Sequence, residues 1–248
     1  MNKILIRFTN RTNPEFTASR YKEILLEWNE RFYNVVRLDT KHYASGILLR
    51  HDLDDDLDRA VRMAEIESGV NDLNSAMFNK GVRPIAHSTY FALNTAKYWK
   101  SKYCFDALRH IQSLGHEIGW HNNALASWYR STDSLLDGHI RRPLDELRSH
   151  GLVIKGTAAH GDRLCREFRF MNYNIWGFAS PGWAWSGIGL SGFKLEDFGL
   201  EYEAYFIPYD DYITDNGGRW CKPFDKTMNK WESGKRYQVI IHPQWWQK

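Results

Sequence analysis

The sequence predicts an α/β domain with mainly parallel strands, wound into a barrel or an open sheet, and three observations predict it. Strand-like and helix-like apolar patterns alternate from residue 47 almost to the end of the chain. Glycine follows several of the helical stretches, where a left-handed residue ends a helix. Finally, 248 residues of which 43% are hydrophobic can close one sizeable core but not two independent ones. Right-handed crossovers between parallel strands would then bring the strand C-termini to one face.

In chain order, Tyr21, Ile24, Leu25, Trp28 and Phe32 recur at helical spacing, which predicts an amphipathic helix outside the main sheet. Ile47-Leu48-Leu49 leads into Arg50-His51-Asp52-Leu53-Asp54 as a buried strand with a polar end. A helix follows with Leu57, Ala60, Val61 and Ala64 on one face and Gly69 as its stop. Residues 88–93 read as a second strand, 105–114 as a helix stopped by Gly115, and 117–121 as a third strand. A helical stretch over 132–150, ended by Gly151, contains Pro143, which should kink or split it. Residues 153–159 form a strand that delivers His160, and 237–241 a strand that delivers His242.

Composition narrows the function. A formal net charge of +3, from 33 basic and 30 acidic residues with no long block, predicts no nucleic-acid partner. The mean hydropathy of −0.57 argues against an integral membrane protein. The longest uncharged stretch, 170–193, is rich in Gly and Ser and reads as a loop rather than a membrane span. Cys104, Cys165 and Cys221 stand too far apart for a zinc spacing or a disulfide framework, and Arg7 interrupts the apolar start. A cytoplasmic location without an export signal is the expectation. The unusual component is aromatic: 11 Trp, with aromatics at 15%.

Period-two geometry puts Asp52 and Asp54 on one side of an extended strand and His51 on the other, so two carboxylates can face one site. The alternative for both is capping of the next helix, which is the preferred reading for Asp55, Asp56 and Asp58. Gly115-His116-Glu117-Ile118-Gly119-Trp120-His121 is not the zinc-protease helix, because its histidines are five apart rather than four. His121 ends a strand, whereas His116 follows the helix-stopping glycine. Asp52, Asp54, His121, His160 and His242 thus all follow strands at the C-terminal end, where α/β folds bind ligands. Aspartate with neutral imidazole suits a divalent transition metal such as Zn2+, with a position left open for water.

These segments, together with Ser88-Thr89-Tyr90-Phe91 and Ile241-His242-Pro243-Gln244, resemble the polysaccharide deacetylases of carbohydrate esterase family 4, the NodB homology domain. The resemblance runs from about residue 47 to the end. More narrowly it is similar to a branch linked to bacterial surface-polysaccharide clusters, where His160-Gly161 and Thr214-Asp215-Asn216-Gly217-Gly218-Arg219-Trp220 are also expected. The resemblance implies a distorted (β/α) barrel over 1–248 as a single domain, with 1–45 an N-terminal extension packed on it. It implies metal-dependent removal of an N-acyl group, usually acetyl, from an amino sugar in surface-polysaccharide synthesis.

Carried over by position, Asp52 resembles the catalytic base, Asp54 and His121 the metal ligands, and His242 the general acid. Many members have the two acids adjacent, whereas Leu53 separates them here. The second family histidine should fall at position 125, where Leu125 stands, so either His160 or a nearby Asn supplies the missing ligand or the metal site is weakened or absent, as in an inactive relative. Arg50 and Arg163 are candidates for the arginine that braces the catalytic aspartate. Substrate contacts are expected from Trp120, Asn122, Trp183, Trp185, Arg219 and Trp245, with core packing as the alternative for the tryptophans. The substrate would be a free or nucleotide-linked amino sugar. An inactive carbohydrate-binding relative and a metal-dependent phosphoester hydrolase are the other two readings.

Overall fold

The computed structural model describes residues 15–32, 34–39, 45–77, 84–132, 135–177 and 192–247. Its elements are α1 (Ala18–Phe32), β1 (Asn34–Val36), β2 (Gly46–Leu53), α2 (Leu57–Met77), β3 (Ile85–Ala86), β4 (Thr89–Leu93), α3 (Cys104–Ser113) and β5 (Glu117–Asn122). Then follow α4 (Ala124–Arg130), α5 (Leu136–Ser149), β6 (Ile154–Ala159), α6 (Arg163–Glu167), β7 (Tyr202–Glu203), β8 (Asp211–Thr214), α7 (Phe224–Met228) and β9 (Arg236–Ile241).

Every strand pairing is parallel. Strand β2 is central: β9 lies along one edge, while the other edge pairs with β1 near the start of β2 and with β4 near its end. The sheet continues from β4 through β5 and β6 to β7 on one side and from β9 to β8 on the other. The expected α/β class with a mainly parallel sheet is therefore present. The nine-stranded sheet curls in the manner of a barrel but is not closed by hydrogen bonds, because β7 and β8 do not pair. Residues 204–210 carry the chain across that seam.

All eight residues of β2 are buried, as a central strand covered on both faces requires. Its outer face packs Ile47 and Leu49 against Tyr21, Ile24, Leu25 and Trp28 of α1. Its inner face carries Leu48 into a small cluster with Phe91, Ala158 and Tyr202. Two glycines make room there: a Cβ on Gly156 would lie 2.0 Å from the Tyr202 ring, and one on Gly119 would lie 2.4 Å from Phe91. Strand β1 hydrogen-bonds within the sheet, so the segment expected to pack on the barrel supplies one of its strands.

Several helix boundaries differ from expectation. Thr17 receives the Arg20 amide before α1, and Asp56 receives the Arg59 amide before α2. Helix α2 runs through Gly69 to Met77, because the buried Ala64, Glu67, Val70 and Asn74 anchor both sides of the glycine. One internal glycine costs only about 1 kcal/mol relative to alanine. Gly115 and Gly151 do end their helices with φ of 94° and 83°. Helix α5 passes through Pro143 without dividing, with Ile140, Leu144 and Leu147 packed into the core. The short α4 had no distinct sequence signal. No helix among the described residues is long and apolar enough to cross a membrane.

Candidate active site

At the end of β2 the backbone alternation sorts its polar side chains. His51 points outward, where its Nε2 lies 2.9 Å from Glu67. Asp52 and Asp54 point inward toward the ends of β5, β6 and β9. His121 Nε2 lies 3.5 Å from Asp52 Oδ2 and 3.3 Å from Asp54 Oδ1, and His160 Nε2 lies 3.8 Å from the same Asp54 oxygen.

Asp54, His121 and His160 each present a ligand atom, all within 4.8 Å of one another. Ligand bonds of about 2.0–2.2 Å in a tetrahedral site separate neighbouring donor atoms by about 3.3–3.6 Å, close to these spacings. The surroundings prepare the donors. His121 Nδ1 donates to the Ala158 carbonyl at 2.8 Å, which fixes the ring with Nε2 toward the site. His160 is kept neutral by burial and by the neighbouring His121, its pKa lowered to about 4. Burial alone would raise the Asp54 carboxyl, but its interactions with His121 outweigh that and lower it. Asp54 Oδ1 and His160 Nδ1 have no hydrogen-bond partner, so protein donors do not satisfy this cluster. Residues Asp54, His121 and His160 therefore form a candidate metal-binding triad. Leu125 is a core residue of α4, and among the described residues the third donor comes from β6.

Asp52 is held separately. Arg50 Nε and Nη2 donate to its two oxygens at 2.6 and 2.8 Å in the bidentate geometry of a guanidinium and a carboxylate. The guanidinium carbon lies 5.3 Å from the Phe91 ring centre and 5.1 Å from that of Tyr205. Arg163, the other sequence candidate for this brace, has a side chain 88% exposed and makes its ion pair with Glu167. Burial raises the Asp52 pKa, but Arg50 and His121 overcome it and hold the carboxyl well below the usual range.

His242 has the opposite bias. Its Nε2 lies 4.0 Å from Asp52 Oδ2 and 3.9 Å from Asp54 Oδ2, while its Nδ1 is 2.6 Å from Asp215 Oδ1. Burial favours the neutral ring, but the Asp215 hydrogen bond and the facing carboxylates prevail and raise its pKa to about 9. Asp215 also accepts from the His242 backbone amide and from Trp246 Nε1. No role was assigned to Asp215 from sequence, although it stands in the 214–220 segment and follows a strand as Asp52 and His121 do.

These groups border a cavity of about 350 Å³. Its other wall is made of Tyr205, Tyr209, Tyr212, Thr214, Gln238 and Ile240 rather than tryptophan. Trp120 and Asn122, expected at the substrate, are corrected by strand alternation: they flank His121 and face away from the cavity. Trp120 is 0% exposed and donates to Asn94, and Asn122 caps α4 through the Ala124 amide. Arg219 is exposed and does not line the cavity. Trp245, 37% exposed, is outside the lining as well, with its ring against Gly218. Trp183 and Trp185 lie outside the described residues. Trp176 is core, its indole nitrogen 3.3 Å from Glu203.

Compared with models of known protein families, with curated proteins and with solved structures, the chain finds no match in any of the three.

Proposed function

We propose that this protein is a metal-dependent hydrolase that removes an N-acyl group, acetyl in the simplest case, from a small amino sugar, on a barrel of the polysaccharide deacetylase type. The observation that carries the reading is the meeting of a metal-binding triad, an arginine-braced carboxylate and a carboxylate-backed imidazole on one cavity. Its volume, about 350 Å³, lies at the small end of ligand pockets and favours a single sugar unit over a polymer chain.

Asp54, His121 and His160 would hold the metal, and the nitrogen-rich donor set with one carboxylate suits Zn2+. A metal bound there supplies Lewis acidity toward the amide carbonyl and toward water. Asp52, ionised throughout the neutral range, accepts a hydrogen bond from the attacking water and orients it. Its low basicity makes proton transfer follow, rather than precede, attack on the carbonyl. His242, protonated at neutral pH, donates to the amine nitrogen as the C–N bond breaks. Opposite protonation states on neighbouring groups are the arrangement an acid and a base need. The inactive-relative reading rested on Leu125, and His160 supplies a ligand from another strand, which supports the catalytic reading instead.

The test is metal analysis of the purified protein with an amine-release assay on free and nucleotide-linked N-acetyl amino sugars. Asp54→Ala is expected to lose both metal and turnover. Full activity in that variant would overturn the proposal.

A further inference from the structure

The inner face of β8 and β9, to one side of the unbonded seam between β7 and β8, carries unsatisfied polar groups that the chemistry above does not use. On β9 the alternation places Gln238, Ile240 and His242 along one face, and on β8 it places Tyr212 beside Gln238 and Thr214 beside Ile240. Gln238 is 3% exposed, yet its Nε2 has no hydrogen-bond partner. The Thr214 hydroxyl is buried and unpartnered in the same way. Both residues line the cavity, so both groups are satisfied only by something that enters it. At about 3.3 Å per residue, Gln238 sits about 13 Å along β9 from His242, beyond the reach of the proton donor.

The chemistry of this end selects its ligand. An apolar group would leave the Gln238 amide and the Thr214 hydroxyl unpaired, at a cost in free energy. An anion would face the Asp52 and Asp54 carboxylates that border the same cavity. A neutral partner that both donates and accepts hydrogen bonds fits an amide, a hydroxyl and the half-exposed Tyr205, Tyr209 and Tyr212. Vicinal ring hydroxyls of a sugar have that character, and tyrosine offers them a flat face with a polar edge.

We infer that Gln238, Thr214 and Tyr212 form a saccharide subsite on the inner face of β8 and β9 beside the unbonded seam, which binds ring hydroxyls of a monosaccharide-sized ligand and sets which sugar enters. This rests on the amino-sugar reading of the cavity. The test is calorimetric titration of the protein, loaded with zinc, with glucosamine and with N-acetylglucosamine, on wild type, Gln238→Leu and Thr214→Val, each checked for an unchanged circular dichroism spectrum. Wild type is expected to bind at least one sugar. Gln238→Leu should weaken that binding tenfold or more and Thr214→Val severalfold. Wild-type affinity in both seam variants, or no binding of either sugar to wild type, overturns the inference. If wild type releases no amine but binding still depends on Gln238, the hydrolase reading fails and the subsite stands. If turnover proceeds with KM unchanged in Gln238→Leu, the subsite fails and the hydrolase reading stands. Thr214→Val keeps the inference open to refutation should Gln238→Leu not fold.

Discussion

Replacing Glu67 by alanine removes the acceptor at the centre of a sealed polar cluster behind β2. The carboxylate is fully buried; its Oε1 accepts from Tyr21 at 2.6 Å, Tyr90 at 2.8 Å and His51 Nε2 at 2.9 Å. Its Oε2 accepts from Ser88 Oγ. Each buried donor left without a partner costs about 1–3 kcal/mol, and rotation of the hydroxyls recovers part of the sum. Loss of one member of a buried charged cluster commonly costs about 3–5 kcal/mol, and Glu67→Ala is expected in that range. Glu67→Gln is a sharper comparison. Its amide oxygen can replace Oε1, and its NH2 group can donate to Ser88 Oγ and to His116 Nδ1, which lies 3.2 Å from Oε2. That His116 nitrogen already accepts from the Ser88 amide at 3.3 Å, so it carries a lone pair. The expected cost for glutamine is about 1 kcal/mol. Urea unfolding followed by tryptophan fluorescence measures both variants. With a slope of about 2–3 kcal/mol/M, the alanine variant should unfold about 1–2 M earlier than wild type. A loss below about 1 kcal/mol for alanine, or equal losses for the two variants, would refute the bonding scheme.

Two further outcomes are expected. Because the pKa of His242 is raised to about 9, its protonated form predominates at neutral pH and is lost as pH rises through 9, so under the proposed function kcat/KM should show an alkaline limb there. Asp215→Asn should move that limb down toward the ordinary imidazole range, and a profile that stays in place would rule out the Asp215 contact as its cause. Asp162 caps α6 through the Leu164 amide and accepts from Arg130 and Asn123, so Asp162→Ala should cost about 1–2 kcal/mol in thermal or urea unfolding. Burial opposes ionisation of Asp162 but Arg130 prevails, lowering its pKa to about 2, so this stabilisation is full above the ordinary carboxylate pKa and fades as pH falls toward 2. An acid-unfolding midpoint unchanged by the substitution would contradict it.

The alternating strands and helices were legible because β2, β4, β5, β6 and β9 are buried runs long enough to show against their surroundings. The convergence of Asp52, Asp54, His121, His160 and His242 followed from strand ends alone, since parallel strands share a C-terminal face. Substrate contacts were less legible. Trp120 and Asn122 flank His121 in sequence, but the period of a strand turns immediate neighbours to the opposite face. The tyrosine wall had no readable pattern, because β7 has two residues and β8 four, too few for a period to emerge. Gly69 misled for a related reason: local propensity counts less than the buried side chains on either side, which also carry α5 through Pro143 without a break.

The unclosed sheet divides labour within the backbone. Asp54, His121, His160 and His242 stand on or just past strands that are hydrogen-bonded on both sides, so a shift in one is resisted by its neighbours. The tyrosines at 205 and 209 come from the span between β7 and β8, where no ladder imposes register across the gap. Under the proposed function, that span is the part to graft or diversify when a different sugar is wanted. The reactive groups would keep their spacing because their strands hold one another in place.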